Sequence, residues 1–387
     1  MKMQRFYLIF FLCALCVLCG LNSSCAKQNN LGGRDIYPVG AVWGEAQRTA
    51  ASMNDSLLAA QVIITAVDGR GALSSGMKTL LRDIPAGGVM LFSENLNTDI
   101  NSIRALITET SALITEYSRI TPFVTIDHEG GTINRFQRGV ADLPSAASYR
   151  RRSESEEAIL SLIYQDASRS GQRLASLGFN MNFAPVAEYL NADNRFLINR
   201  SYGTDPYFTA KAASAFFHGM KDAGIMCVVK HFPGHSGQDP HYNVSVLNMN
   251  INSLKDPVLA EYVYPFSDLI SNDVRAVMLA HTLIPAIDNQ IAPFSSVIMN
   301  DWLRGELGFK GLIITDDLIM AAVGTMRPEE AAVKSVIAGA DMVLIWPKDL
   351  RRTHTALMTA LENGELPRKR LEEAVSRIVY EKMNNKF

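Results

Sequence analysis

Eight short apolar runs punctuate the chain, at Gln61–Val67, Gly87–Phe92, Thr121–Asp127, Phe179–Val186, Ile225–His231, Val274–His281, Lys310–Asp317 and Asp341–Trp346. They are rich in β-branched residues and largely continuous rather than alternating, the pattern of strands buried on both faces of a parallel sheet. Segments of helical period lie between them. The stretch 153–178 places Ser153 and Glu156 at capping-box spacing and stops at Gly178. Further helical segments stop at Gly224 and Gly308, and 327–339 has Pro328 in its first turn and Gly339 at its end. The stretch 367–383 is a last good helix. Eight β-then-α units predict an α/β fold, a (β/α)8 TIM-type barrel, as a single domain over residues 56–387. A doubly wound open sheet fits less well, because it usually has fewer strands and a topological switch. No further domain is expected after the barrel.

Composition and charge remove several function classes. The 387 residues are 48% hydrophobic and 20% charged, which suits a large core and argues against disorder. Lys and Arg total 37 against 39 Asp and Glu, so no basic field favours nucleic acid and no polybasic patch on the body favours an anionic membrane. Of the cysteines, only Cys227 lies in the body, leaving no internal disulfide and no thiolate metal site. It reads as a small buried strand residue. The other four lie in the first 25 residues. There Met1–Arg5 carry positive charge, Phe6–Leu21 is apolar and uncharged, and Ser23 and Ser24 precede Cys25. This predicts a signal peptide over 1–25 ending in a lipobox at Cys25, although Asn22 stands where an aliphatic residue is usual. Ordinary cleavage and an uncleaved anchor are the alternatives, and all three place the body outside the cytoplasm, with membrane contact confined to the N-terminus. Residues 26–55 read as a tether and lead-in.

In such a barrel, chemistry gathers at the carboxyl ends of the strands. The polar residues obey that rule. His281 ends the sixth strand, Asp316 and Asp317 end the seventh, and Lys230 to His241 follow the fifth. His231 and His235 have i, i+4 spacing, but Pro233 and Gly234 between them argue against a zinc-binding helix; a metal site with Asp239 and His241 is the lesser reading. His235 reads as a backbone-bonding loop histidine. Acid–base chemistry fits better. Asp239 stands two residues before His241, so its carboxylate can fix one imidazole nitrogen while the other meets a substrate. Asp316 would be kept ionised by Lys230, Arg135 and Arg200. An ionised carboxylate opposite a proton donor is what a retaining glycosidase uses.

"DHEGGTINRF", "NFAPVAE", "NRSYGTDP", "KHFPGH…DPHY" and "ITDDLIM" occur in that order on these strands. In these motifs the chain resembles glycoside hydrolase family 3, in particular its single-barrel exo-β-N-acetylglucosaminidases, from about Gln61 to Leu371. The resemblance implies that Asp316 is a nucleophile forming a covalent glycosyl-enzyme. It implies that His241 is the general acid/base, with Asp239 its partner. Asp127, Arg135, Arg200, Lys230 and His231 match positions that hold the terminal sugar's hydroxyls. The implied substrate is a terminal β-linked N-acetylglucosamine on peptidoglycan fragments or chitin-like oligosaccharides. No cofactor or metal is implied, and a monomer is expected. Pro240 replaces the usual Ser between Asp239 and His241, the loop is two residues shorter than usual, Thr132 stands for Arg, and Glu188 for Asp. Trp346, Tyr202 and Tyr242 are candidate stacking platforms or simply core and rim aromatics. Two rival functions remain: a phosphorylase using the same residues, and a surface glycan-binding lipoprotein without turnover.

Overall fold

Ten strands are present in a computed structural model that describes residues 38–385, apart from 138, 153, 192–193, 237–238, 240–241 and 321–322. They are β1 Ile63–Ala66, β2 Gly88–Leu91, β3 Phe123–Ile126, β4 Met181–Asn182, β5 Met226–Phe232, β6 Ser245–Val246, β7 Ala276–Leu279, β8 Thr282–Leu283, β9 Leu312–Asp317 and β10 Met342–Ile345. Eight of them close a parallel barrel in the order β1-β10-β9-β7-β5-β4-β3-β2, and each coincides with one of the eight apolar runs, β5 running one residue past the end of its own. The open-sheet alternative is thereby set aside. β6 and β8 form a separate two-stranded pair on the loops. Two residues each are too few to leave a period in the sequence.

Strands β2, β3, β5, β7 and β9 alternate between two cores. On β5, Met226 and Val228 belong to one, and Cys227 and Val229 to the other. β3 and β9 behave alike: Phe123, Leu312 and Ile314 face the lumen, while Val124, Ile126 and Ile313 face the helices. Because side chains alternate with period two, Lys230, Asp127 and Asp316 continue the lumen faces of β5, β3 and β9 at their carboxyl ends. This parity delivers three polar residues to one place. Cys227 is buried as expected, and burial pushes its thiol pKa up.

The long helices follow their sequence signals with local shifts. Helix Glu156–Leu177 is capped by Ser155, whose Oγ accepts from the Ala158 N–H at 3.3 Å, and ends at Gly178 with φ 102°. Ser153, the cap expected from spacing, lies outside the described residues. The segment read as an ordinary helix before Gly308 is π-helical over Val297–Glu306. The lead-in also differs from expectation. Within the stretch read as tether, Ala41–Ser52 form a helix whose Trp43, Ala46 and Ala50 are buried. Trp43 meets Tyr380 of the final helix, Arg368–Asn384, edge to face at 5.8 Å. Polar composition near residue 30 hid this, because the apolar positions 43, 46 and 50 pay only through a tertiary partner. At the amino-terminal side of the barrel, buried Asp341 receives Arg304 at 2.5 Å, Arg377 at 3.1 Å and the Ile313 N–H at 2.9 Å. Cys25 and the apolar leader lie outside the described residues, and no helix among the described residues is long and apolar enough to cross a membrane.

Candidate active site

Two polar networks meet at the carboxyl ends of β3, β5 and β9. The first runs through Lys230. Its Nζ lies 2.6 Å from both Asp127 Oδ1 and Glu129 Oε1, with only 3% of the side chain exposed. Arg135 Nη2 donates to Asp127 Oδ2 at 2.9 Å. Arg200 donates through Nε and Nη2 to the two Glu129 oxygens, each at 2.7 Å, a bidentate fork. Burial pushes the Glu129 carboxyl up, but Arg200 and Lys230 outweigh it and hold it far below the usual carboxylate range.

The second network runs through Glu188. Beyond β4, Val186 bridges to Lys230 and the Ala187 N–H donates to the Lys230 carbonyl at 2.8 Å, so the chain after β4 lies alongside β5. Glu188 then accepts from His231 Nδ1 at 2.7 Å, the His231 N–H at 3.3 Å, the His235 N–H at 2.6 Å and His235 Nδ1 at 3.1 Å. Burial raises the Glu188 carboxyl, but His235 and His231 outweigh it and leave it well below the ordinary glutamate value. An ionised carboxylate only accepts, so Nδ1 of His231 carries the ring proton. Burial pushes the His231 imidazole down despite Glu188, and its Nε2 lies 3.8 Å from Asp316 Oδ2. Between them the two residues of the Pro-Gly turn reverse the chain; Gly234 has φ 121°, and a Cβ there would sit 2.8 Å from the Tyr262 hydroxyl. Glu188, His231 and His235 each place a possible ligand atom within 4.8 Å of the others. Here those atoms are joined by hydrogen bonds that lock both rings.

Asp316 lies at the end of β9 with 14% of its side chain exposed. Burial pushes its carboxyl up; His231, His281, the Asp317 N–H and Lys230 together outweigh it and leave it below the ordinary aspartate value. The histidines carry most of what the sequence reading assigned to arginines. Arg135 and Arg200 are engaged by Asp127 and Glu129 instead, because those carboxylates lie within hydrogen-bond reach. His281 Nε2 donates to the Asp317 carbonyl at 3.0 Å. Asp317 turns away from its neighbour: its Oδ2 accepts from Trp346 Nε1 at 2.7 Å and its Oδ1 from the Ile319 N–H at 3.0 Å.

Asp239 lies on the loop after β5, and its carbonyl accepts from the Tyr242 and Asn243 N–H groups at 3.0 and 3.2 Å. His241 lies outside the described residues. Of the three candidate platforms, Tyr202 is 3% exposed and belongs to the core, and Tyr242 is 75% exposed. Trp346 is half-buried and stacks on Phe92 at 4.9 Å. Sequence reasoning gave no role to Phe92 or Glu129, which lie within the second apolar run and the DHEGGTINRF motif but acquire partners only through the fold.

A family model described as glycosyl hydrolase family 3 N terminal domain matches residues 54–380. The chain belongs to glycoside hydrolase family 3. Among its family 3 relatives, a Beta-hexosaminidase of Hydrogenovibrio crunogenus is 33% identical over 301 residues, covering 76% of this chain and 81% of the relative. A Beta-hexosaminidase of Xylella fastidiosa is 33% identical over 298 residues, covering 73% of this chain and 85% of the relative. Among solved structures, a family 3 beta-N-acetylglucosaminidase from Paenibacillus is 28% identical with a TM-score of 0.78; the match covers 87% of this chain and 64% of that one. NagZ from Neisseria gonorrhoeae, solved in complex with N-trifluoroacetyl-D-glucosamine, is 26% identical with a TM-score of 0.68, covering 83% of this chain and 98% of that one. The family 3 barrel thus accounts for the fold and for the position of the polar cluster at its carboxyl-terminal mouth.

Proposed function

We propose that this glycoside hydrolase is an exo-acting, retaining β-N-acetylhexosaminidase that releases terminal β-linked N-acetylglucosamine. The observation that carries the reading is the ionised Asp316 at the tip of β9, beside His231 and in the field of Lys230, which Asp127 links to Arg135. The β-hexosaminidase names of its relatives support the substrate class. In the first half-reaction an Asp316 oxygen attacks C1 of the sugar. The C1–O bond to the leaving group breaks, and the leaving oxygen takes a proton from His241, oriented by Asp239. In the second, His241 removes a proton from water, the water oxygen bonds to C1, and Asp316 is released. Asp127, Arg135, Lys230 and His231 hold the ring hydroxyls, while Arg200 acts on them through Glu129 and Lys230.

The test is mass spectrometry of the protein after exposure to a slow, activated N-acetylglucosaminyl fluoride. A sugar attached to the peptide carrying Asp316, and none in Asp316→Ala, is the expected result. A sugar on another residue, or inversion at C1 in the product, sinks the mechanism. A turnover rate that scales with phosphate would favour the phosphorylase, and binding of N-acetylglucosaminides without release the glycan-binding protein. We propose also that the leader places the barrel outside the cytoplasm, with lipid on Cys25. Loss of fatty-acid labelling in Cys25→Ala tests this, and unchanged labelling refutes it.

A further inference from the structure

A second cleft, of about 600 Å³, opens over the ends of β1, β2 and β10. That volume lies within the roughly 300–1,000 Å³ in which proteins hold small ligands. Phe92 and Trp346 line it as a stacked pair, rings 17° from parallel, each half-buried. Arg135 forms part of its wall, with its guanidinium 5.7 Å from the Phe92 ring centre. Arg70 and Glu94 are exposed lining residues, and the Arg70 Nε donates to the Glu94 backbone carbonyl at 2.7 Å.

Two of these groups belong also to the catalytic networks. Arg135 bonds Asp127, and Trp346 bonds Asp317, the residue after Asp316. The cleft therefore adjoins the place where a terminal sugar's C1 must lie. A pyranose presents apolar C–H faces and a rim of hydroxyls, which suits an aromatic wall flanked by a guanidinium and a carboxylate. The charges also balance. The lining carries two acidic side chains, Asp68 and Glu94, against two basic ones, Arg70 and Arg135, and Arg135 is already paired with Asp127. No excess of positive charge is set aside for a carboxylate-bearing sugar.

We propose that this cleft is the subsite for the leaving sugar and that it takes a neutral pyranose, so that chitin-like oligosaccharides are cleaved in preference to muramyl-linked ones. The aromatic pair carries the ring and Arg70 and Glu94 its hydroxyls. This deepens the hydrolase reading above and rests on it.

The test uses Arg70→Ala and Phe92→Leu, neither of which touches the reacting atoms. Expected is a fall in kcat/KM of about 5–10-fold on N,N′-diacetylchitobiose, the scale of one lost ring contact, with methyl β-N-acetylglucosaminide unchanged within about twofold. An equal fall on both substrates, or no fall on either, overturns the subsite. Wild-type protein should also process the disaccharide faster than an N-acetylglucosaminyl-muramic acid; a muramyl preference that Arg70→Ala abolishes overturns the neutral class. Calorimetry in an Asp316→Ala background separates this proposal from the hydrolase reading. There, weaker chitobiose binding on adding Arg70→Ala supports the cleft even if turnover proves not to occur, and unchanged binding refutes it.

Discussion

Replacing Glu188 with glutamine probes the arrangement most directly, because it changes a proton pattern while nearly keeping shape. The carboxylate accepts from two backbone N–H groups and two imidazole nitrogens, and its side chain is 2% exposed. A glutamine offers one acceptor oxygen and a two-proton donor. Whichever way the amide turns, its NH2 faces at least one of these four groups as donor to donor. If it faces His231 Nδ1, that ring must give up its Nδ1 proton and carry it on Nε2, which then points a donor at Asp316 across 3.8 Å. At 3.8 Å that donor is not yet hydrogen-bonded; once Asp316 closes the gap, a hydrogen bond to a charged group is worth about 1.5–3 kcal/mol. Spent on the nucleophile in the ground state, that amount lowers kcat about 10–100-fold at about 1.4 kcal/mol per tenfold. The fold should lose about 3–5 kcal/mol from the broken buried pair. Steady-state kinetics on an aryl N-acetylglucosaminide and urea unfolding measure the two effects. Glu188→Asp keeps the charge and should recover part of kcat. A merely structural role would lower stability in both variants and leave kcat of the folded fraction alike. A Glu188→Gln enzyme with wild-type kcat refutes the tautomer reasoning.

Asp316→Ala should abolish turnover on every substrate, poor or activated leaving group alike, as read by product release. His241→Ala should slow substrates with poor leaving groups by about 10²–10⁴ and aryl glycosides less, the scale of lost general-acid catalysis; equal losses count against the acid role. Burial lowers the pKa of His128 from 6.5 to about 4. Between those values the unfolded chain binds a proton that the folded chain does not, so stability is intact above pH 6.5, declines as pH falls, and is reduced by about 3 kcal/mol below pH 4. Urea unfolding at several pH values should show a shallower acid decline in His128→Gln; His231 and His281, lowered by burial as well, act in the same direction. Asp341→Asn leaves Arg304, Arg377 and Arg370 without their buried anion and should cost about 3–5 kcal/mol in unfolding experiments, with KM unchanged.

The barrel was legible because its evidence is local. Each strand is a run such as Val274–His281 that needs both faces covered, and each helix carries its own stop, as at Gly178. The placement of Asp127, Lys230 and Asp316 was legible for the same reason, since each is the last or next-to-last residue of an apolar run and the period of two turns them inward. Partners were not legible. Arg135 and Arg200 looked like counter-ions for Asp316, yet they pair with Asp127 and Glu129, because which carboxylate lies 2.7 or 2.9 Å away depends on how neighbouring loops fold over one another. The helix Ala41–Ser52 was missed because its three buried residues, Trp43, Ala46 and Ala50, gain stability only through tertiary packing, as Trp43 does on Tyr380 of the final helix. Glu188 stood out only as a replacement for the usual Asp in its motif; the alignment of the chain after β4 with β5 makes it the anchor of both histidines. Sequence by itself determined which residues reach the mouth of the barrel, because alternation and strand ends are properties of one segment. Tertiary structure decided which charge neutralises which, because electrostatic and hydrogen-bond energies depend on distances between segments far apart in the chain.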